Sequence, residues 1–308
     1  MDNAPASRLI YSFQTEFIEN LHVLPNGNLL LSTLKSPTGL LYTLDPKASD
    51  PQAKLVTSFD SNITALTGIV PLPDCGDDLY AVSGGRHTSF AFKRGSLGVH
   101  IVSLKTGTVV DSIPVSDTAT MNGMTALSLH PHLLLSADSI GGRILSINTR
   151  TRKTGVLLED YALGPGAYNS TSRIPPIGIN GLRARGDYLY FTNSSQGTFV
   201  RIRVDEHGNP AGDFEVLARS PDHLQIYDNF TFDGEGNAYV AVHSSSVVKI
   251  TPDGVQTTLV GGDGSGSLLK EPTSVALAND GKSIFVSTGG NFRATPREGG
   301  QVIQIQLQ

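Results

Sequence analysis

The chain has 308 residues, 23 Lys+Arg against 28 Asp+Glu, and a formal net charge of −5. No Lys/Arg run interleaves with aromatics, which argues against nucleic-acid binding, and no apolar run approaches the ~18 residues of a membrane span. A single cysteine, Cys75, excludes an intrachain disulfide and any multi-cysteine metal site.

The start, MDNAPASRLIYSF, lacks the basic-then-apolar layout of a signal peptide, so a secretory route is expected only behind a trimmed leader, and the cytoplasm otherwise. Four Asn-x-Ser/Thr sequons occur, at Asn62, Asn169, Asn193 and Asn229. Composition alone predicts roughly three, so they decide little about glycosylation or compartment.

In chain order, SRLIYSF from Ser7 reads as a strand. ENLHVLPNGNLLLSTL from Glu19 reads as a carboxylate, a strand, an Asn-Gly turn and a second strand. That second strand, NLLLST at Asn28, returns as DLYAVS at Asp78, HLLLSA at His132, DYLYFT at Asp187, NAYVAV at Asn237 and KSIFVS at Lys282. The spacings run from 45 to 55 residues, and the distance from Lys282 around the termini to Asn28 is 54. Such a period closes on itself, as a ring requires.

Each copy is followed by an alternating third strand: GLLYTLD, GVHIVSL, RILSINT, FVRIRVD, SVVKITP and QVIQIQL. Five are followed by a more polar fourth: AKLVTSF, GTVVDSI, TGVLLED, FEVLAR and GVQTTLV. The sixth lacks one, and SRLIYSF is available to supply it. The expected fold is therefore all-β: one six-bladed β-propeller over residues 1–308, four antiparallel strands per blade, the N-terminal strand closing the last blade. The blades fall near 17–60, 61–116, 120–160, 178–219, 226–262 and 271–308 plus 7–13.

In a propeller the innermost strand of each blade lines a central channel. These strands begin near Glu19, Ile63, Asn122, Asn180, Asp228 and Glu271. Glu19, Asn122, Asn180 and Asp228 thus form an all-oxygen set at one mouth, suited to a hard cation such as Ca²⁺ or Mg²⁺. The alternative is that they tie the inner strands together by hydrogen bonds. The loops around this mouth carry His87, Phe90, Phe92, Tyr161, Tyr168, His223, Tyr227, His243, Phe292 and Arg293. Aromatic bodies with a few polar tips suit a mostly apolar small molecule. The HPH at 130–132 reads as a turn on the opposite face.

The segments FIENLHV, TMNGMTA, GINGLRA and IYDNFTF carry a resemblance to the regucalcin/gluconolactonase (SMP-30-like) family of six-bladed propellers. The resemblance implies that Glu19, Asn122, Asn180 and Asp228 hold a divalent metal, and that Asp228 also acts on a water or a proton. Thr120 stands where sugar-lactonase members carry an Arg. FIENLHVLPNGNLLLSTL, LLYTLDP, PIGINGLRARGDYLYFTNSSQGTFVRIRVDEHG and DNFTFDGEGNAYVA resemble, more closely, a fungal secondary-metabolism branch that includes hetero-Diels–Alderases.

That resemblance implies an intermolecular cycloaddition between a tropolone-like quinone-methide oxadiene and a terpene alkene. Asp228, His223, Tyr227 and His243 are then the expected catalytic groups. Thr64, His87, Phe90, Phe92, Thr120, Tyr168, Thr273, Phe292 and Arg293 are the expected substrate contacts. The cycloaddition requires no cofactor, while the resemblance admits Ca²⁺ or another divalent cation at the mouth. A metal-dependent lactonase or esterase and a non-catalytic binding module are the alternatives.

Overall fold

The computed structural model describes residues 5–34, 37–76, 78–88, 91–167, 176–222, 225–243, 245–262, 268–291 and 294–307. Six four-stranded antiparallel sheets account for all but one small hairpin, His87–Thr88 with Ala91–Phe92. Five blades run in plain sequence order from inner to outer strand, with that hairpin inserted in blade two. Blade six is built from Pro272–Leu277, Ser283–Thr288 and Gln301–Gln306, and Ser7–Ser12 completes it as the outer strand. The pairing runs from Ser7 opposite Ile305 to Ser12 opposite Gln301, with a bulge between Leu9 and Tyr11. In this outer strand only Ile10 is buried. It joins Phe13, Ile18 and Val302 in the packing between blades six and one.

The core is six separate clusters, one for each blade-to-blade contact. This explains the unbroken apolar runs of the second strands. Leu29, Leu30 and Leu31 are all fully buried, because both faces of a blade pack on neighbours. Outer strands meet solvent, and AKLVTS and TVVDSI are correspondingly polar and exposed. Among the described residues no helix is long and apolar enough to cross a membrane.

Buried hydroxyls stitch neighbouring blades at their inner strands. Ser32 Oγ donates to Thr67 O at 2.9 Å, Thr67 Oγ1 to Met121 O at 2.8 Å and Thr192 Oγ1 to Asp228 O at 2.8 Å. Across the seam, Thr273 Oγ1 donates to Ile18 O at 2.7 Å and Ser274 Oγ to Asn20 Oδ1 at 2.9 Å. The Asn-Gly pairs at 122–123 and 180–181 serve close approach between blades. A Cβ on Gly123 would lie 2.5 Å from Asn180 O, and one on Gly181 would lie 2.9 Å from the Phe230 ring. Of the sequons, Asn193 and Asn229 are buried and Asn62 is exposed. Asn193 spends its amide on Ala162 O and Gly164 O, which suits a structural role better than a glycan. Asn169 lies outside the described residues.

Deleting residues 1–12 should leave the edge of Gln301–Gln306 unpaired and uncover Phe13, Ile18 and Val302. The expected result is insoluble protein or a melting temperature lower by more than about 10 °C, read by circular dichroism; several kcal/mol of lost burial and ladder bonding correspond to such a shift. An unchanged melting temperature would contradict closure by this strand.

Candidate functional site

All six inner strands carry a register shift where they pair with the second strand of their blade; in blade three it falls late, at Ala126/Leu127, and in the other five it falls early. The early shifts fall at Ile18/Asn20, Leu66/Ile69, Ile179/Leu182, Tyr227/Phe230 and Pro272/Ser274. Glu19, Asn180, Asp228 and Thr273 all lie within these bulges. A bulge frees a residue from the ladder and re-aims its side chain. That is why a carboxylate or amide can sit in a strand otherwise made of core residues. Asn180 and Asp228 are buried, while Glu19 and Asn122 are half-buried.

The best-defined constellation joins blades five and six. His243 ends the second strand of blade five, Ala238–His243. Its Nε2 lies 2.7 Å from Asp228 Oδ2 and its Nδ1 lies 2.8 Å from Glu271 Oε2. Burial opposes a charge on this ring, but the two hydrogen bonds and the two negative charges overcome it and raise His243 to about 10. At neutral pH it is therefore an imidazolium with both N–H groups committed. It orients Asp228 and has no proton-bearing nitrogen free for a ligand. Glu271 is held in the left-handed region at φ 54°, with Gly289 N donating to its carbonyl at 2.7 Å. Strain of this kind in a non-glycine residue gathers at functional sites.

Asn180 is fixed by a relay. Its Nδ2 donates to Ser194 Oγ at 3.0 Å, and Ser194 Oγ donates to Tyr227 O at 2.8 Å. This leaves Asn180 Oδ1 buried without a hydrogen-bond partner. The mouth is thus rich in acceptors. Elsewhere on the inner strands the charge reverses. Burial lowers Arg183 of blade four to about 10, and burial followed by the Arg183 charge lowers His22 of blade one to about 4.

The other expected residues divide. Thr64 Oγ1 accepts from His87 N at 2.9 Å, and Thr120 Oγ1 accepts from Ile140 N at 3.1 Å, so both hydroxyls brace loops. His87 sets its ring edge-on to Phe92 at 5.3 Å. Three expectations are corrected. Tyr227 is fully buried between blades four and five; its hydroxyl donates to Gln256 Oε1, and burial raises it to about 12. Phe92 packs in the core between blades two and three. Thr273 spends its hydroxyl on the seam to Ile18 O. Phe90, Tyr168, His223, Phe292 and Arg293 lie outside the described residues. Tyr161 is exposed. A cleft of about 360 Å³ lies at the other end of the channel, between blades one and six, lined by Arg8, Asn26, Lys47, Asn279 and Phe285 among others.

Two residues escaped the sequence reading. Ser194 carried no signal. Glu271 carried one, since it stands at the entrance of the sixth inner strand as Glu19 does at the first.

Replacing His243 by Gln leaves Asp228 and Glu271 without the cation that separates them. We expect a loss of about 1–3 kcal/mol in urea denaturation at pH 6.5, reduced from the full buried-pair cost because the imidazole keeps some exposure. The folded pKa lies above the unfolded one, so the imidazolium contributes fully below about 6.5 and is lost as pH rises through about 10. The stability gap between wild type and His243→Gln should close over that window. A gap that widens with pH would contradict the charge assignment.

Comparison with known proteins adds five findings. Residues 177–304, which include Asn180, Asp228, His243 and Glu271, match the family model described as SMP-30/Gluconolactonase/LRE-like region. A Phoma sp protein named "Putative hetero-Diels-Alderase" is 25% identical over 92% of this chain and 86% of its own length. A Sarocladium schorii protein, "Putative hetero-Diels-Alderase asR5", is 24% identical over 97% of this chain and 81% of its own. In solved structures, the fold is shared with regucalcin, a calcium-binding protein of Agrobacterium tumefaciens (TM-score 0.65, 15% identity, 99% of this chain and 96% of that one). It is shared also with a luciferin-regenerating enzyme (TM-score 0.67, 15% identity, 98% and 95%). The chain is a six-bladed propeller that resembles the SMP-30/gluconolactonase/LRE-like proteins and, over nearly its whole length, two fungal proteins bearing the hetero-Diels-Alderase name.

Proposed function

We propose that this protein is an enzyme of fungal secondary metabolism that joins a quinone-methide-type oxadiene to a terpene alkene by hetero-Diels–Alder cycloaddition. The two fungal relatives support the reaction class. The structural observation that carries the reading is His243 bridging Asp228 and Glu271, with both ring nitrogens occupied. An Asp228 carboxylate held in that way is an oriented base. It takes the hydroxyl proton of a hydroxyaryl or tropolone-like carbinol while the benzylic-type C–O bond breaks. The departing hydroxide takes that proton and leaves as water. The resulting oxadiene then adds across the alkene, forming one C–C and one C–O bond with nothing lost.

The second step asks little of acid–base chemistry. Its barrier falls when two partners are held face to face, an effect that reaches ~7–11 kcal/mol in the best intramolecular models. The bulged inner strands supply rigid acceptors for hydroxyl groups of the precursor, Asn180 Oδ1 among them.

A second reading, a metal-dependent lactonase or esterase, is favoured by the same Asn180 Oδ1, since a buried orphan acceptor is relieved by a cation. The donor set of Glu19, Asn122, Asn180 and Asp228 fits a hard divalent ion chemically. A bound ion there supplies Lewis acidity to a lactone carbonyl. His243 works against this, because it already engages Asp228 Oδ2.

The test incubates the protein with a carbinol precursor and a cyclic polyene, with and without chelator, and resolves the adduct on a chiral column. We expect enantioenriched adduct that chelation does not reduce. Asp228→Asn should lower the rate from the carbinol by about 10²–10⁴-fold, as loss of a general base does, yet act nearly normally on pre-formed oxadiene. Racemic adduct at the background rate, with chelator-sensitive hydrolysis of a lactone panel, would reverse the ranking.

A further inference from the structure

The opposite end of the barrel holds a cluster that the cycloaddition does not use. His130 opens the second strand of blade three, His130–Asp138, and its backbone lies opposite Leu127. Glu206 and His207 lie in the turn between Thr198–Val204 and Pro210–Arg219 of blade four. Blade packing brings them together. The His130 and His207 rings stack at 4.8 Å with planes 17° apart, and His132 stands edge-on to His130 at 5.8 Å. One ligand atom from each of His130, Glu206 and His207 lies within 4.8 Å of the others.

The turn carrying Glu206 and His207 is rigid. Asp205 Oδ1 accepts from His207 N at 2.9 Å and from Asn209 N at 2.8 Å, while Asp205 Oδ2 accepts from Asn209 Nδ2 at 2.9 Å. Gly208, at φ 84°, lets the turn settle on blade three, where a Cβ would come within 3.3–3.4 Å of Leu135, Leu127 and Leu157. An independent observation concerns the nitrogens. His130 Nε2 and His132 Nδ1 are both buried without a hydrogen-bond partner. Buried ring nitrogens without partners, on rings whose centres lie 5.8 Å apart, are donors to which a ligand can bind.

We propose that His130, Glu206 and His207 form a structural site for a borderline divalent transition ion of the Zn²⁺ type, stapling blade three to blade four. Two imidazoles and one carboxylate are a Zn²⁺ donor set, with the fourth position taken by water or His132. Any ion at the all-oxygen mouth would be a hard one, so the donor sets of the two ends differ in kind. Tetrahedral coordination at about 2.0–2.1 Å per bond requires ligand atoms about 3.4 Å apart. Glu206 Oε1 already lies 3.8 Å from His207 Nε2, and both side chains are exposed, so they are the groups able to close the remaining distance to His130.

The test uses tag-free, chelator-dialysed protein titrated with ZnCl2 and, separately, CaCl2 by calorimetry, with melting temperatures alongside. One Zn²⁺ should bind and raise the melting temperature, and a prior excess of Ca²⁺ should not displace it. His207→Ala and Glu206→Gln should each weaken Zn²⁺ at least 10-fold while leaving the metal-free melting temperature within a degree or two, since both side chains are exposed. Asp228→Asn should bind Zn²⁺ as wild type does. The proposal is overturned if wild type takes up no Zn²⁺, if the two turn variants bind within twofold of it, or if Asp228→Asn is the variant that loses binding.

Discussion

A ring of sheets has no unprotected seam only if its last sheet is finished by its first strand. Here Ser7–Ser12 performs that closure on Gln301–Gln306, and the channel mouth depends on it. Blade six carries Glu271, and blade one carries Glu19 in the bulge that the seam bonds flank, Thr273 to Ile18 O on one side and Ser274 to Asn20 on the other. Without closure, blade six would lose its register against blade one. The imidazolium bridge from blade five would then have no fixed Glu271 to meet. Because each hydrophobic cluster serves only two neighbouring blades, no central core can hold the ring if the seam opens.

The bulges give this scaffold its polar mouth. In a regular inner strand every side chain packs on a neighbouring blade or lines the channel wall. The register shifts release Glu19, Asn180 and Asp228 from that alternation at one end. Two carboxylates facing each other are costly unless a cation lies between them, and His243 is that cation. It contributes structure and charge balance in one residue, and it fixes the orientation of the Asp228 carboxylate.

The ring was legible in the sequence because four strands repeat every 45 to 55 residues and one blade lacks its fourth. Glu19, Asn180 and Asp228 were legible because they occupy equivalent places in that repeat. Tyr227 was misread for a simple geometric reason: neighbours in a strand face opposite ways, so the residue before Asp228 points into the blade core. The Asn-Gly pairs at 122–123 and 180–181 resemble turns in sequence, yet their glycines admit a neighbouring backbone. Contacts between blades left no local trace. His243 and Glu271 are 28 residues apart, and nothing near either announces the other. His130 and His207 meet only because blade four's turn docks on blade three, so HPH alone read as an ordinary turn.

The central claim is that His243 is a doubly bonded imidazolium spanning Asp228 and Glu271. The most direct measurement is ¹⁵N NMR of histidine-labelled protein at pH 8, with His243→Gln used to assign the resonance. Two protonated ring nitrogens, both slow to exchange with water, are the result this account predicts. A His243 ring that carries a single proton at pH 8, or that titrates near the ordinary histidine value of about 6.5, would contradict it.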